Sequence, residues 1–104
     1  MKTFLTFFVL LFSSSVLGGT VKGAIAHDCA ELQRAYDTQD KVLLYQYKQA
    51  VLGFISGLNV GLNTNAGEDV REDTIFQIAI NYCKKNPLKL VVAGADYAYD
   101  EILN

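Results

Sequence analysis

The sequence predicts a small all-α protein, a four-helix bundle stapled by one disulfide. Apolar residues recur every three or four positions in four successive segments after residue 26, which is the period of amphipathic helices. Asparagine, aspartate, glycine and proline separate these segments. Two cysteines, Cys29 and Cys83, lie in the first and third segments. No segment shows a convincing strand period, so a single helical domain over residues 27–104 is expected.

The first 26 residues are predicted to be a secretory signal peptide. Lys2 gives the basic start and the apolar run FLTFFVLLF follows it. A retained membrane anchor is the other interpretation, but the run is short for a span and three serines follow it. We therefore expect export to the periplasm, with no membrane segment left after cleavage.

Two positions for the cleavage are compatible with the small residues that signal peptidases require. Ala24-Ile25-Ala26 has the small-x-small pattern and would leave His27 as the first mature residue. Cleavage near Gly18 or Gly19 is the alternative.

Both cysteines remain after cleavage at Ala26, in a chain shortened from 104 to 78 residues. A domain of this size has a marginal hydrophobic core, and exported domains often compensate with a disulfide. A Cys29–Cys83 disulfide is the economical assignment; two free thiols or an intermolecular pair are the alternatives.

The charge of the mature chain argues against a nucleic-acid partner. Without Lys2 and Lys22, seven basic and eleven acidic residues leave a net charge of −4 with histidine neutral. Lys84, Lys85 and Lys89 are the only basic cluster, and a helix C-terminus explains the first two.

The longest helical pattern is Lys41 to Leu62. Its predicted buried stripe is the set Leu43, Tyr47, Ala50, Val51, Phe54, Leu58 and Leu62, with Lys41, Lys48 and Asn59 opposite. Gly53, Gly57 and Gly61 form a smooth flank at a cost of roughly 1 kcal/mol each. Close packing of another helix is the expected compensation; a dimer seam or a hinge is the alternative.

Local signals place the other helix boundaries. Asp28 and Glu31 form a capping-box pattern at the start of the first helix. The third helix is expected over roughly 74–85, after a loop over 63–73. Asn86-Pro87 predicts a cap and first turn for the fourth helix.

The residue types give no basis for catalysis or for a cofactor. The mature chain has one histidine, His27, and one serine, Ser56, so a hydrolytic triad has no candidate base beside a nucleophile. A metal site at His27 would lack a second histidine, and the loop after Asn63 departs from the calcium-loop pattern at Ala66 and Thr74. We expect neither an enzyme nor a metalloprotein.

An acidic cluster precedes the third helix and consists of Glu68, Asp69, Glu72 and Asp73. Carboxylates at a helix N-terminus are favoured by the helix dipole, which is a sufficient structural explanation. The functional interpretation is a response to pH. Full protonation of the carboxylates would change the mature charge from −4 to about +9, counting histidine and the terminal amine, and self-repulsion would favour an expanded or dissociated state.

The junction INYCKKNPLKL, from Ile80 to Leu90, resembles the HdeA/HdeB family of periplasmic acid-stress chaperones, and the HdeB branch more closely. The segment DCAEL, from Asp28 to Leu32, also resembles the family, as does the order of features along the chain. The resemblance implies an all-helical fold, a disulfide joining Cys29 to Cys83, and a homodimer at neutral pH. It also implies that acid exposes an apolar surface that holds unfolded client proteins.

The apolar residues of the long helix are the candidates for client and dimer contacts: Val51, Leu52, Phe54 and Leu58. The segment Gly53 to Asn63 departs from the family pattern. It is similar to small periplasmic immunity proteins that neutralise type VI secretion toxins. A specific inhibitor of one toxin is therefore the alternative function, with the acidic loop from Glu68 to Asp73 as its contact.

Overall fold

The computed structural model describes residues 23–103 and confirms the all-α fold. Four helices form the bundle: α1 (Cys29–Asp37), α2 (Lys41–Leu62), α3 (Glu72–Lys85) and α4 (Val91–Ile102). A short 3₁₀ turn, Ala24–Ala26, precedes them. Within the described residues there is no strand, and no helix is long and apolar enough to cross a bilayer.

The core lies between all four helices, and α3 and α4 make the most extensive contact. They approach closely because Gly94 of α4 faces the α3 backbone: a Cβ at Gly94 would lie 3.2 Å from the Ala79 carbonyl oxygen. Apolar side chains fill the remaining space, and the larger buried ones are Leu32, Tyr47, Val51, Ile55, Ile75, Phe76, Ile80, Val91, Tyr99 and Ile102.

The predicted Cys29–Cys83 disulfide is confirmed. It joins the first residue of α1 to the last turn of α3 across 54 positions of sequence, and the two Cα atoms lie 4.7 Å apart. Both cysteines are fully buried. The bridge therefore holds the N-terminal helix on the rest of the core.

The start of α1 is capped by a distant part of the chain. Cys29 N–H donates to the Lys89 carbonyl at 2.7 Å, and Ala30 N–H donates to the Pro87 carbonyl at 3.1 Å. These two carbonyls satisfy N–H groups that a helix start leaves unpaired. The predicted capping box is wrong, since the Asp28 side chain makes no capping hydrogen bond.

The contact between the start of α1 and the carbonyls of Pro87 and Lys89 also explains why α4 begins later than predicted. Residues 87–90 form a turn that lies beside the start of α1, with an isolated bridge between Asp28 and Leu90. Val91 N–H donates to the His27 carbonyl at 2.8 Å, and α4 begins at that residue. The helix start predicted at Pro87 is therefore wrong, and Leu88 is 95% exposed.

The buried side of α2 is rotated from the predicted stripe. Tyr47, Val51 and Ile55, spaced four residues apart, are its buried residues. Leu43 and Leu62, which were expected in the stripe, are 38% and 60% exposed. The rotation occurs because α2 packs against helices on one side only, along the line of those three residues.

The predicted signal peptide lies mostly outside the described residues, but the 3₁₀ turn within it is part of the fold. Ala24 and Ile25 are partly buried and pack against the hydrophobic core. The turn contacts α2 and α4, and His27 N–H donates to the Ala24 carbonyl at 3.2 Å. Cleavage after Ala26 would remove these contacts, whereas cleavage near Gly18 or Gly19 would keep them.

We predict that a chain beginning at Gly19 is more stable than one beginning at His27 by about 1 kcal/mol, since Ile25 is partly buried. Urea unfolding of both chains measures the difference. Ile25→Ser in the longer chain should reproduce most of the loss. Equal stability of the two chains would show that the turn contributes nothing, and the mass of the exported protein would then decide the cleavage position independently.

Candidate interaction surfaces

The side of α2 opposite its buried residues is an exposed and uncharged helix face. Val42, Tyr45 and Val60 are 69%, 65% and 85% exposed. At 100° per residue, these side chains share one side of the helix with five smaller or polar residues. We call this surface the outer α2 face, and it consists of Val42, Tyr45, Gln46, Gln49, Gly53, Ser56, Gly57 and Val60.

The glycines of α2 do not pack against another helix of the bundle. A Cβ built at Gly53, Gly57 or Gly61 would have no atom of the described chain within 4 Å, beyond its own helix and neighbours. Against the helices of residues 23–103, the expectation of close packing is therefore wrong. The close approach of two helices occurs at Gly94 of α4 instead. No spacing of glycines around Gly94 indicates this contact in the sequence.

The four predicted contact residues occupy different environments. Val51 is fully buried in the core. Leu52, Phe54 and Leu58 are partly buried and pack against it. None of the four lies on the outer α2 face, so in the folded bundle Val51 is inaccessible and the other three are only partly available. Their role in contacts stays a prediction that applies to an opened bundle.

The acidic cluster is divided between two places. Glu72 and Asp73 lie in the first turn of α3, where the helix dipole favours them. Glu68 and Asp69 lie in the preceding loop and line a cleft of about 460 Å³ beside Leu103. All four side chains belong to exposed residues.

Asp73 is the member of the cluster that is tied to the bundle. Lys48 of α2 donates to the Asp73 carboxylate at 2.6 Å. This hydrogen bond and the charge of Lys48 lower the pKa of Asp73, and the same hydrogen bond raises the pKa of Lys48. The pair therefore links α2 to the start of α3 only while Asp73 is ionised.

We predict that Asp73→Asn lowers the melting temperature slightly at pH 7 and has a smaller effect at pH 2. The pKa of Asp73 is lowered in the folded state, so its contribution is present above the unfolded value of about 3.9 and is lost as pH falls through the folded value. The pair is exposed, so the effect is small. Thermal unfolding between pH 7 and pH 2 measures it.

Asp69→Asn is the matched control, because no cation of the described residues forms an ion pair with Asp69. It should show no comparable difference between the two pH values. A melting-temperature difference for Asp73→Asn that persists unchanged at pH 2 would contradict the role of the ion pair.

Asn59 fixes the acidic loop, and the sequence analysis missed this role. Its Oδ1 accepts from Ala66 N–H and from the Thr64 hydroxyl, both at 2.8 Å, and its Nδ2 donates to the Ala66 carbonyl at 3.1 Å. The Thr64 hydroxyl also lies 2.7 Å from the Tyr99 hydroxyl. Gly67, at φ +81°, packs against Ile102 and completes the turn. The loop that carries Glu68 and Asp69 is therefore held on the end of the bundle.

A second polar cluster surrounds His27. Its Nδ1 lies 2.8 Å from the Tyr47 hydroxyl and 3.1 Å from a Glu31 carboxylate oxygen. Burial, together with the nearby carboxylate of Glu31, raises the pKa of Tyr47. These residues line a cleft of about 310 Å³ between α1 and α2. Hydrogen bonds among His27, Tyr47 and Glu31 are a sufficient structural explanation of this cluster.

Within residues 23–103, no group of three or more histidine, cysteine, aspartate or glutamate side chains is arranged to hold a metal ion. No protein-family model, curated protein or solved structure matches this chain.

Proposed function

We propose that the chain is a periplasmic acid-stress chaperone, a holdase that is a homodimer at neutral pH and binds unfolding proteins in acid. The observation that carries the proposal is the outer α2 face. It extends along a helix of 22 residues, which is about 33 Å long. Large apolar side chains stand exposed near both of its ends and no charged side chain interrupts it. A surface of this kind suits partners whose sequences differ but whose apolar segments are exposed.

The charges supply a response to acid. Protonation of Asp73 removes the ion pair with Lys48, which joins α2 to α3. Protonation of the remaining carboxylates leaves the seven basic residues unopposed, so like charges repel one another across the molecule. Both effects favour dissociation and a looser bundle at low pH, while the buried disulfide keeps α1 attached to α3.

Two sets of apolar residues would then meet a client in turn. The exposed side chains of the outer α2 face are available to a client as soon as no partner chain covers them. The buried and partly buried residues of the same helix become available only if the bundle loosens, and these are the predicted contacts Val51, Leu52, Phe54 and Leu58.

The test is aggregation of an acid-labile client, followed by light scattering at pH 3 and at pH 7, with and without the purified protein. We expect suppression of scattering at pH 3 and little effect at pH 7. Absence of suppression at pH 3, at a molar excess of the protein, would overturn the proposal.

The surface can be tested in the same assay with the double variant Val42→Ser/Val60→Ser. Both side chains are largely exposed, so the fold should be unaffected while the apolar area of the outer α2 face is reduced. We expect weaker protection at pH 3. Leu88→Ser is the matched control, since Leu88 is also exposed but lies in the turn before α4.

A specific inhibitor of a periplasmic toxin is the second candidate function. The observation that favours it is the acidic loop, whose carboxylates Glu68 and Asp69 are presented on a backbone fixed by Asn59. A fixed acidic surface suits one basic partner. If a toxin is encoded beside this chain, co-expression should protect cells from it, and Glu68→Gln/Asp69→Asn should abolish the protection at neutral pH.

A further inference from the structure

We infer that the outer α2 face is covered by the same face of a second copy of this chain, with the two helices antiparallel. The inference locates the interface of the homodimer in the proposed function. The biological role of this interface rests on that function, whereas its geometry does not. Its geometric basis is the arrangement of large and small residues on an exposed helix face.

Large and small side chains are segregated along the face. Its first half carries Val42, Tyr45, Gln46 and Gln49, all of them exposed. Its second half carries Gly53, Ser56 and Gly57, and the space beside both glycines is open. Only Val60, at the end of the second half, is large.

An antiparallel second copy brings unlike halves together. With the twofold axis beside position 51, Gln49 stands level with Gly53 of the other copy, Gln46 with Ser56, and Val42 with Val60. At 100° per residue, Tyr45 and Ser56 lie on one edge of the face, and Gln46 and Gly57 lie on the other edge. Tyr45 therefore packs beside Ser56 of the other copy, and Gln46 lies over the gap left by its Gly57. A parallel arrangement would place large residues on large ones and leave the glycines facing each other.

The chemistry of the face is compatible with pairing of two identical surfaces. No charged side chain lies on it, so no charge is buried without a partner when two copies meet. Antiparallel helices also place the positive end of each helix dipole beside the negative end of the other. The glycines allow the two backbones to approach more closely than ordinary side chains permit.

The size of the face indicates a reversible dimer. One helix face about 33 Å long buries less than the ~800 Å² per partner of a standard stable interface. The dimer should therefore dissociate on dilution, and acid dissociation needs to overcome only a modest contact. This property fits a surface that must become free to hold clients.

The register can be tested by disulfide trapping between two single variants, Gln46→Cys and Ser56→Cys. In the antiparallel pair these positions stand level with each other, whereas each position lies about 15 Å along the axis from its own counterpart. We expect a covalent dimer in the oxidised mixture at pH 7 and none from either variant alone. Covalent dimers formed by each variant alone would indicate a parallel pair and overturn the inference.

A pair of glycine variants tests the surface without cysteines. Gly57→Leu fills the gap on the face, and Gly61→Leu makes the same change on the flank of the same helix. Both positions are open, so both variants should fold and melt no lower than the parent. Sedimentation velocity over a hundredfold range of concentration should show a monomer–dimer equilibrium for the parent and for Gly61→Leu, and a monomer for Gly57→Leu.

The outcomes separate this inference from the chaperone proposal. A parent chain that stays monomeric at all concentrations, or a Gly57→Leu variant that dimerises like the parent, overturns the antiparallel contact. Neither result depends on client protection. Conversely, trapping between Gln46→Cys and Ser56→Cys supports the contact even if light scattering shows no holdase activity.

Discussion

Replacement of both cysteines by alanine, or reduction of the Cys29–Cys83 disulfide, should lower the free energy of unfolding by about 4 kcal/mol. The bridge closes a loop of 54 positions, and its loss gives that much conformational entropy back to the unfolded chain in the chain-entropy model. A domain of about 80 residues has only a few kcal/mol to lose. We therefore expect the reduced protein to be largely unfolded at about 37 °C.

The position of the bridge adds a second reason. Cys29 opens α1, and its N–H donates to the Lys89 carbonyl, so loss of the bridge releases both the helix and the turn that caps it. Urea unfolding of the Cys29→Ala/Cys83→Ala variant measures the effect, and added reductant should leave that variant unchanged. Equal stability of the parent with and without reductant, after complete reduction is verified by mass, would contradict this role.

Gly94→Leu should be the most damaging change among the helical glycines, with a loss of about 3 kcal/mol. A Cβ there would lie 3.2 Å from the Ala79 carbonyl oxygen and 3.3 Å from the Cys83 sulfur. Neither atom can move away cheaply, because one belongs to the α3 backbone and the other to the buried disulfide. The larger side chain would separate α3 from α4, which form the most extensive contact of the fold.

Gly61→Leu is the matched control for stability, because the same substitution is made in open space. It should stabilise the protein by up to about 1 kcal/mol, since leucine is a better helix former than glycine. Both variants are compared with the parent by urea unfolding. A Gly94→Leu protein as stable as the parent would show that α3 and α4 can separate without cost.

Periodicity was sufficient to predict the fold class, because four amphipathic segments and two cysteines leave few ways to bury the apolar residues. Periodicity was not sufficient to identify which side of α2 is buried. Apolar residues cover so much of that helix that the predicted stripe included the exposed Leu43 and Leu62 and left out Ile55, which is buried. Packing against the other helices, which a single-helix pattern does not contain, decides between them.

The helix start at Asn86-Pro87 was a sound local prediction that long-range contacts overrode. The carbonyls of Pro87 and Lys89 are used to cap α1, so that turn cannot also be the first turn of α4. The disulfide brings these segments together across 54 positions, and local sequence does not encode that contact.

Asn59 and the glycines show a similar limit for the candidate surfaces. Asn59 looked like a solvent residue of α2, yet its side chain is satisfied by Thr64 and Ala66 of the following loop. Glycines four residues apart indicate a smooth surface, but only the structure shows that nothing in the described chain covers Gly53 and Gly57.

The central claim is that one face of α2 pairs two copies at neutral pH and holds clients in acid. The most direct test is client aggregation at pH 3 with the covalent dimer formed by Gln46→Cys and Ser56→Cys. The same two variants, with their thiols blocked before mixing, are the control. We predict that the blocked mixture suppresses light scattering and the covalent dimer does not, because its outer α2 faces stay covered. Equal protection by the covalent dimer would contradict the claim.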